Sequence, residues 1–308
     1  MGNWSQSIMK KMFETIVFFG SGPVAAKSLA KLAEDFNIEA VITKPRPEHH
    51  KYPFPVLQVT DELGLKTFTP RSKIELVDLF KNKPVKSKIG VVIDYGIIID
   101  KTVINYFPLG IINSHFSLLP VWRGPDPISF AILSGDTVSG ISLMKIVEKL
   151  DEGPLLAQRT LPLTEGSTTL SLTKDLIDLS HELLRDTLPA YIDGKIEVKP
   201  QSGKATYSKK LVKQDGLLNW NKPAQVLERE IRAFYEWPRS FTKLGGKQII
   251  ITKAHVIVGN GVPGQIFLEG KQLGIYTKKD ILVIEKLIPQ GKKEMTSTEF
   301  LSGYKLSI

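Results

Sequence analysis

Residues 15–25, TIVFFGSGPVA, determine the fold expected for the N-terminal part of the chain. The run begins with apolar and β-branched residues, as a buried strand does, and passes through a glycine turn into a helical repeat of apolar residues from Leu29 to Phe36. A second apolar run, Ile38 to Thr43, follows that helix. Strand, helix and strand in this order predict a βαβ unit with parallel strands.

Two further runs, Lys88 to Asp94 and Gly110 to Asn113, have the same composition and are expected to extend the parallel sheet. The leucines from Leu172 to Leu183 repeat at helical spacing and indicate another amphipathic helix. This alternation predicts an α/β domain over residues 13–195. Residues 1–12 are expected to form a disordered leader.

The C-terminal part is predicted to be a second domain, residues 211–308, after a linker at residues 196–210 that has little apolar periodicity. It opens with a helix in which Leu227, Ile231 and Phe234 share one face. Five short strands are expected at Gln248–Thr252, His255–Val258, Gln265–Leu268, Gly274–Thr277 and Ile281–Ile284. Their number and turns favour a small barrel of the oligonucleotide-binding (OB) type, with a sandwich as the alternative.

The formal net charge of +9 is confined to this C-terminal part. Residues 1–195 hold 22 basic and 22 acidic side chains, whereas residues 196–308 hold 19 basic and 10 acidic side chains. A localised excess predicts binding to a polyanion such as nucleic acid. The alternative is a charge that only keeps a small domain soluble.

Composition excludes several classes of protein. The chain has no cysteine, so it has no disulfide, no thiol nucleophile and no thiolate metal site. No apolar run reaches the ~20 residues of a membrane span, because Asp94 interrupts the best candidate, Gly90 to Ile99. We therefore expect a cytoplasmic protein without a membrane segment.

The glycine turn from Gly20 to Ala25 also matches the dinucleotide-binding fingerprint in its form ending in alanine. The second strand, however, ends in Ile42-Thr43-Lys44, without the acidic residue that would bind a ribose. The sequence thus favours an ordinary glycine turn over a nicotinamide site.

Asn113 and His115 are the first candidates for chemistry, because they follow the predicted Gly110–Asn113 strand at its carboxyl end, where open α/β sheets bind ligands. Residues two apart in an extended segment face the same way, so the amide and the imidazole can converge. Such a pair suits a carbonyl oxygen that becomes negative in a transition state. The alternative is a buried, hydrogen-bonded histidine beside a turn asparagine.

Four motifs near these residues resemble the catalytic signature of the folate-dependent formyltransferases. They are Asn113-Ser114-His115, Ser117-Leu118-Leu119-Pro120, Trp122-Arg123-Gly124 and Leu150-Asp151-Glu152-Gly153. Further similarity covers nearly the whole chain, at Val92 to Gly96, Thr206 to Leu211, Ile231 to Phe234 with Trp237-Pro238, and Pro289 to Lys293. The last three sets lie outside the shared catalytic domain and are similar to the members that act on methionyl-tRNA. The resemblance implies a Rossmann-like α/β formyltransferase domain with a parallel-rich sheet, followed by a small OB-like β-barrel domain.

By this resemblance, the chain would transfer the formyl group of 10-formyltetrahydrofolate to the amino group of initiator methionyl-tRNA. Asn113 and His115 would bind the developing oxyanion, and Asp151 would orient His115 and accept the proton of the amine. Glu152 is interpreted as a solvated loop acid. No metal is expected, because His49-His50 lack further nearby ligands, and a monomer is expected.

The resemblance also assigns the binding residues. The pterin ring is expected beside Asp94, Tyr95, Gly96, Ile97, Glu148, Lys149 and Leu150, with Ser117, Leu118, Leu119 and Pro120 in the wall of the pocket. Contacts with tRNA are expected from Arg46, Lys51, Lys209, Lys210 and Arg232. Arg123 could bind an anionic group or form a salt bridge.

Two features depart from the family pattern. The segment Lys44 to Pro55, which would enter the acceptor end of the tRNA, is shorter and poorer in glycine and lysine than usual. Phe116 and Pro125-Asp126 stand where smaller residues are usual, and are interpreted as reshaping the acceptor pocket.

Two other functions stay open. A formyltransferase that acts on a sugar or nucleotide amine would use the same Asn, His and Asp but would need no basic second domain. A non-catalytic nucleic-acid-binding protein on this scaffold would keep its affinity after replacement of His115.

Overall fold

The computed structural model describes residues 14–46 and 54–304. The expected leader, the His49-His50 pair and Lys51 lie outside these residues. The helices are α1 (Pro23–Asp35), α2 (Pro55–Glu62), α3 (Lys73–Lys81), α4 (Lys101–Ile104), α5 (Pro127–Ser134), α6 (Thr169–Ile192), α7 (Ala224–Ala233) and α8 (Ser297–Gly303). The strands are β1 (Thr15–Phe19), β2 (Asn37–Ile42), β3 (Thr67–Phe68), β4 (Gly90–Val92), β5 (Ile111–His115), β6 (Val138–Lys145), β7 (Leu155–Pro162), β8 (Ser240–Leu244), β9 (Lys247–Ile257), β10 (Ile266–Glu269), β11 (Gln272–Tyr276), β12 (Ile281–Pro289) and β13 (Met295–Thr296).

The first sheet has seven strands in the order β3-β2-β1-β4-β5-β6-β7. Strands β1 to β5 pair in parallel, and β6 pairs antiparallel with β5. The predicted α/β domain with a parallel-rich sheet is therefore confirmed. Because β1 lies in the interior of the order, the connections leave in opposite directions from β1 and β4, and this creates the switch point at which such sheets bind ligands.

An aromatic cluster packs behind this switch point. The rings of Phe19, Phe80 and Phe107 lie 5.6–6.0 Å apart, centroid to centroid. All three side chains are buried, together with Val17 and Ile111 of the adjacent strands. Burying each such side chain contributes about 1.5–3 kcal/mol, so the strand ends that carry the polar residues rest on a rigid core.

The second sheet is antiparallel and has six strands, in the order β10-β11-β12-β9-β8, with β13 paired to β12. The predicted small β domain is confirmed. Among the described residues this order is a path with two ends, so closure into an OB-like barrel stays a prediction.

The individual strands of this domain differ from the expected ones. The predicted strands Gln248–Thr252 and His255–Val258 are one strand, β9, and β8 was not expected. Strand β9 pairs with β12 from Ile249 to Ile257, and the register shifts between Ile284 and Lys286, where Glu285 is the extra residue of a bulge, and again between Lys286 and Leu287. The bulge bends the pair without ending it, and the exposed Lys253 opposite only interrupts the apolar pattern.

Contacts divide the chain into two compact units. The first comprises the segment up to His115, Ser142–Gln158 and Ile177–Gln201, and the second comprises Phe116–Ile141, Arg159–Leu176 and the chain from Ser202 onward. The predicted boundaries at residues 195 and 210 stay predictions. No helix among the described residues is long and apolar enough to cross a bilayer.

Candidate active site

The candidate catalytic residues of the first unit are carried by β5. Asn113 pairs with Val92 on one side and with Met144 on the other, and His115 pairs with Ser142. Ser114 projects to the opposite face, where its Oγ lies 2.7 Å from Oγ of Ser180 in α6. Since side chains alternate along a strand, this contact fixes Asn113 and His115 on the other face together.

Asp151 comes to His115 from the loop between β6 and β7. Its Oδ1 lies 3.8 Å from Nδ1 of His115, and both side chains are 7% exposed. A carboxylate at this distance in a buried setting orients the imidazole ring. The structure thus brings together His115 and Asp151, two of the three predicted catalytic residues. Asn113 lies two residues before His115, on the same face of β5.

Gln201 holds the backbone that carries Asp151, a role that no sequence pattern predicts. Its Nε2 donates to the carbonyl oxygen of Asp151 at 2.7 Å and to that of Gly153 at 2.9 Å. Asp151 has φ of +52°, in the left-handed region that costs a non-glycine residue energy. At Gly153 a Cβ would overlap the carbonyl oxygen of Lys145, so the loop must pass close to β6.

Replacing Gln201 with alanine is expected to lower kcat about tenfold and to leave KM nearly unchanged, because the Asp151 carboxylate loses its fixed position while the binding surfaces stay intact. Steady-state kinetics with both substrates measures this. Gln58→Ala, which removes an exposed glutamine bonded to Glu62 on α2, is the matched control and should leave both constants unchanged. A Gln201→Ala enzyme with unchanged kcat would show that the loop holds its shape without these bonds.

Asp94 packs against the glycine turn that follows β1. The amide of Ser21 donates to the carbonyl oxygen of Asp94 at 2.9 Å. A Cβ on Gly22, the N-cap residue of α1, would overlap the Asp94 carboxylate, so this glycine permits the close approach. A carboxylate next to the N-terminus of α1 stands where a pyrophosphate would bind, which agrees with the ordinary-turn interpretation of Gly20 to Ala25.

The predicted pterin-binding residues of the first unit lie on two loops that approach each other. Nζ of Lys101 is 3.7 Å from Oε1 of Glu148, and Tyr95, Ile97 and Ile146 pack against one apolar cluster. The hydroxyl of Tyr95 is buried and makes no hydrogen bond within the described residues, and burial raises its pKa. It therefore stays a neutral donor. The remaining predicted residues, Asp94, Gly96, Glu148, Lys149 and Leu150, are exposed.

The Ser117–Pro120 motif belongs to the second unit. The hydroxyl of Ser117 donates to the carbonyl oxygen of Val121 at 2.5 Å, and Ser117 and Leu119 are 1% and 3% exposed. Leu118 packs over Gly140, where a Cβ would press against its side chain. These contacts give the motif a structural role, and its assignment to a folate pocket stays a prediction.

The Trp122-Arg123-Gly124 motif is fastened to the segment Thr206–Leu211 by backbone hydrogen bonds. The amide of Arg123 donates to the carbonyl oxygen of Thr206 at 2.9 Å, and the amide of Ser208 donates to that of Arg123 at 2.7 Å. The carboxylate of Asp126 accepts the amide of Leu211 at 3.0 Å. Asp126, noted above as unusual, therefore fixes this segment.

The residues predicted to contact tRNA differ in their solvent exposure and in the ion pairs they already form. Arg46 and Lys210 are exposed, and Lys209 forms an ion pair with Asp215 at 2.6 Å while remaining 64% exposed. Arg232 is mostly buried, and its guanidinium binds both carboxylate oxygens of Glu228, at 2.6 and 2.9 Å, and the carbonyl oxygen of Ser167 at 2.9 Å. Each of its three guanidinium nitrogens donates to a protein oxygen, so Arg232 is a poor candidate for a contact with tRNA.

Metal ligands do not gather within residues 14–46 and 54–304: no three His, Asp or Glu side chains there are arranged to hold a metal ion.

Comparison with known proteins places this geometry in a family. The family described as "Formyl transferase" matches residues 15–188, and "Formyl transferase, C-terminal domain" matches residues 210–305. The chain belongs to the formyl transferase family. This formyl transferase is 37% identical over 305 residues to a protein of Roseiflexus castenholzii named methionyl-tRNA formyltransferase, covering 95% of this chain and 96% of that protein.

Solved structures agree on the fold of this formyl transferase. The N-formyltransferase of Helicobacter canadensis, in complex with folinic acid and dTDP-3-aminofucose, superposes with a TM-score of 0.67 at 17% identity and covers 89% of this chain and 99% of that chain. A HypX variant from Aquifex aeolicus gives a TM-score of 0.66 at 17% identity. It covers 95% of this chain and 48% of HypX, so this chain spans about half of that protein.

Proposed function

We propose that this enzyme transfers the formyl group of 10-formyltetrahydrofolate to the amino group of methionyl-tRNA, giving N-formylmethionyl-tRNA for the initiation of translation. The similarity to a methionyl-tRNA formyltransferase carries this proposal, because it extends over 95% of the chain and includes the basic C-terminal part. A sugar-amine formyltransferase would need no basic domain of this kind, because its acceptor is not a polyanion.

The reaction joins the methionine nitrogen to the formyl carbon and breaks the bond between that carbon and N10 of the folate. As the amine attacks, the formyl oxygen becomes anionic, and Asn113 and His115 stabilise it. The buried Asp151 holds His115 in orientation and accepts the proton that the amine loses, directly or through water. The folate nitrogen leaves as a neutral amine after it receives a proton.

The folate is assigned to the loops that carry Tyr95 and Glu148. A neutral phenol with no hydrogen-bond partner among the described residues and the backbone of a solvent-exposed loop suit the polar edge of a pterin, which must be hydrogen-bonded when it is buried. When bound, the folate supplies the activated formyl group. The chain itself supplies position, charge stabilisation and the proton acceptor.

The acceptor is tested by direct competition. The protein is mixed with 10-formyltetrahydrofolate and with either methionylated initiator tRNA or a dTDP-amino sugar, and formyl incorporation is followed in each product. We expect transfer to the tRNA. Transfer to the sugar alone would replace the proposal by a sugar-amine formyltransferase, and nucleic-acid binding without any transfer would identify a non-catalytic protein.

Affinity for tRNA is expected to fall steeply with salt, because lysines of residues 196–308 displace counterions from phosphates. The logarithm of the association constant should fall against that of the salt concentration with a slope of about −0.7 to −0.9 for each phosphate neutralised. Filter binding over a salt series measures it. Lys210→Ala should reduce this slope by about one unit, since Lys210 is exposed.

Lys31→Ala is the control for this series. Lys31 lies in the first unit and is paired with Asp178 at 2.9 Å, so its removal should leave the slope unchanged. An affinity that is insensitive to salt, or a slope that responds equally to both variants, would remove the C-terminal lysines from the tRNA surface.

A further inference from the structure

Trp237 is a large ring held in place at the surface of the second unit. It is 55% exposed, although its indole Nε1 donates to the carbonyl oxygen of Leu211 at 3.4 Å. Nζ of Lys213 lies 5.8 Å from the centre of the Trp237 ring and 4.9 Å from that of Phe241, and it donates to the carbonyl oxygen of Pro238 at 2.9 Å. The ring is thus fixed from its edge and by a cation, while more than half of it faces solvent.

The surroundings of this ring combine apolar and basic groups. Val212 and Leu217 are 53% and 44% exposed. Residues 206–216 and 235–241 together carry four basic side chains (Lys209, Lys210, Lys213 and Arg239) and two acidic ones (Asp215 and Glu236). Lys209 neutralises Asp215, and its ammonium holds the pKa of that carboxyl below its usual value. A positive charge therefore remains around an exposed apolar ring.

We propose that Trp237 and its neighbours Val212, Lys213 and Arg239, the Trp237 platform, bind an unpaired nucleotide of the acceptor end of the tRNA. The base would stack on the indole ring, and the ammonium and guanidinium groups would contact the flanking phosphates. The inference rests on the proposed function, since it takes the RNA to be the tRNA substrate.

Single-stranded RNA fits this surface better than a duplex or a protein does. Bases in a duplex stack on one another and offer no face to a side chain, whereas unpaired bases stack on aromatic rings without regard to sequence. A flat ring beside an ammonium group also complements the alternation of bases and phosphates in a single strand. A purely apolar protein surface would offer no negative charge to Lys213 and Arg239.

The experiment compares two forms of the tRNA, one intact and one trimmed of its unpaired 3′ nucleotides. Trp237→Ala is expected to weaken binding of the intact tRNA roughly tenfold, and Trp237→Phe less, because a smaller ring still stacks. The trimmed tRNA should bind wild type and both variants equally. Leu268→Ala, which removes an exposed apolar side chain from β10, is the matched control and should change neither affinity.

Equal losses with both tRNAs, or no loss with the intact one, would overturn the platform. Fluorescence of the wild-type protein gives a second measurement that requires no folded alanine variant. A short single-stranded RNA should quench the emission that is present in wild type and absent in Trp237→Phe, whereas a blunt-ended duplex of equal length should not.

The formylation assay separates this inference from the proposed function. Quenching by single strands without transfer to methionyl-tRNA would keep the platform and reject the proposed acceptor. Normal transfer without quenching and without an effect of Trp237→Ala would keep the acceptor and reject the platform.

Discussion

Replacing Asp151 with asparagine is expected to slow formyl transfer about 100-fold or more, with tRNA affinity largely kept. Asparagine preserves the shape of the side chain and removes its charge. The carboxylate is 7% exposed and lies 3.8 Å from the imidazole, so water replaces little of its effect on His115. The amide also cannot accept the proton that the amine loses. Single-turnover formylation with saturating folate and tRNA measures the loss.

The neighbouring acid provides the control for this prediction. Glu152 is exposed and lies 3.8 Å from Lys149, and Glu152→Gln should leave the rate within about twofold, as surface ion pairs contribute little. His115→Ala should cost about as much as Asp151→Asn, and the double variant should cost scarcely more than either, because residues that act as one unit are not additive. A near-normal rate for Asp151→Asn, or an equal loss for Glu152→Gln, would refute the assignment.

Much of the strand that carries the candidate catalytic residues could be predicted from the sequence. The apolar run that ends in Asn113-Ser114-His115 predicts a buried strand with two polar side chains on one face, and β5 has this arrangement. Asp151 could be added only through the resemblance, because nothing local joins residues 115 and 151 before the loop folds back. Gln201 could not be found at all, since a glutamine fifty positions from Asp151 that bonds two backbone carbonyls leaves no pattern in the sequence.

The C-terminal domain was harder to predict for a physical reason. Side chains alternate between the two faces of a strand only where the strand has no extra residue, and β9 has one, Thr252, next to Lys253. In the sequence, the exposed Lys253 therefore looks like part of a turn between two strands. In the structure, its ammonium lies 2.8 Å from the Glu285 carboxylate, within a continuous pair of strands. Arg232 is a similar case. A basic residue on a helix predicts a surface contact, whereas its bidentate pair with Glu228 one helical turn away draws it inward.

Replacing Gly124 of the Trp-Arg-Gly motif with alanine is expected to cause a large loss of stability. Its φ is +112°, and a Cβ there would lie 2.5 Å from the carbonyl oxygen of Ser208, which is backbone and cannot rotate away. Gly124→Ala should therefore push Ser208 off the motif and break its hydrogen bond to the carbonyl oxygen of Arg123. We expect the free energy of unfolding of the second unit to fall by about 3 kcal/mol or more. We also expect tRNA affinity to fall, since Lys209 and Lys210 follow Ser208 directly.

Gly203→Ala isolates the overlap from the backbone strain. Gly203 has a similar φ of +101°, but a Cβ there would meet nothing closer than Cγ of Pro120 at 4.0 Å. The substitution thus carries the cost of a left-handed alanine alone, about 1–3 kcal/mol, and leaves the segment in place. Urea unfolding of both variants, followed by tRNA binding under native conditions, gives the comparison. Equal destabilisation would mean that backbone strain explains the whole effect. A larger loss for Gly124→Ala, together with weaker tRNA binding, would show that close backbone contact between the motif and Thr206–Leu211 sets the position of the two lysines.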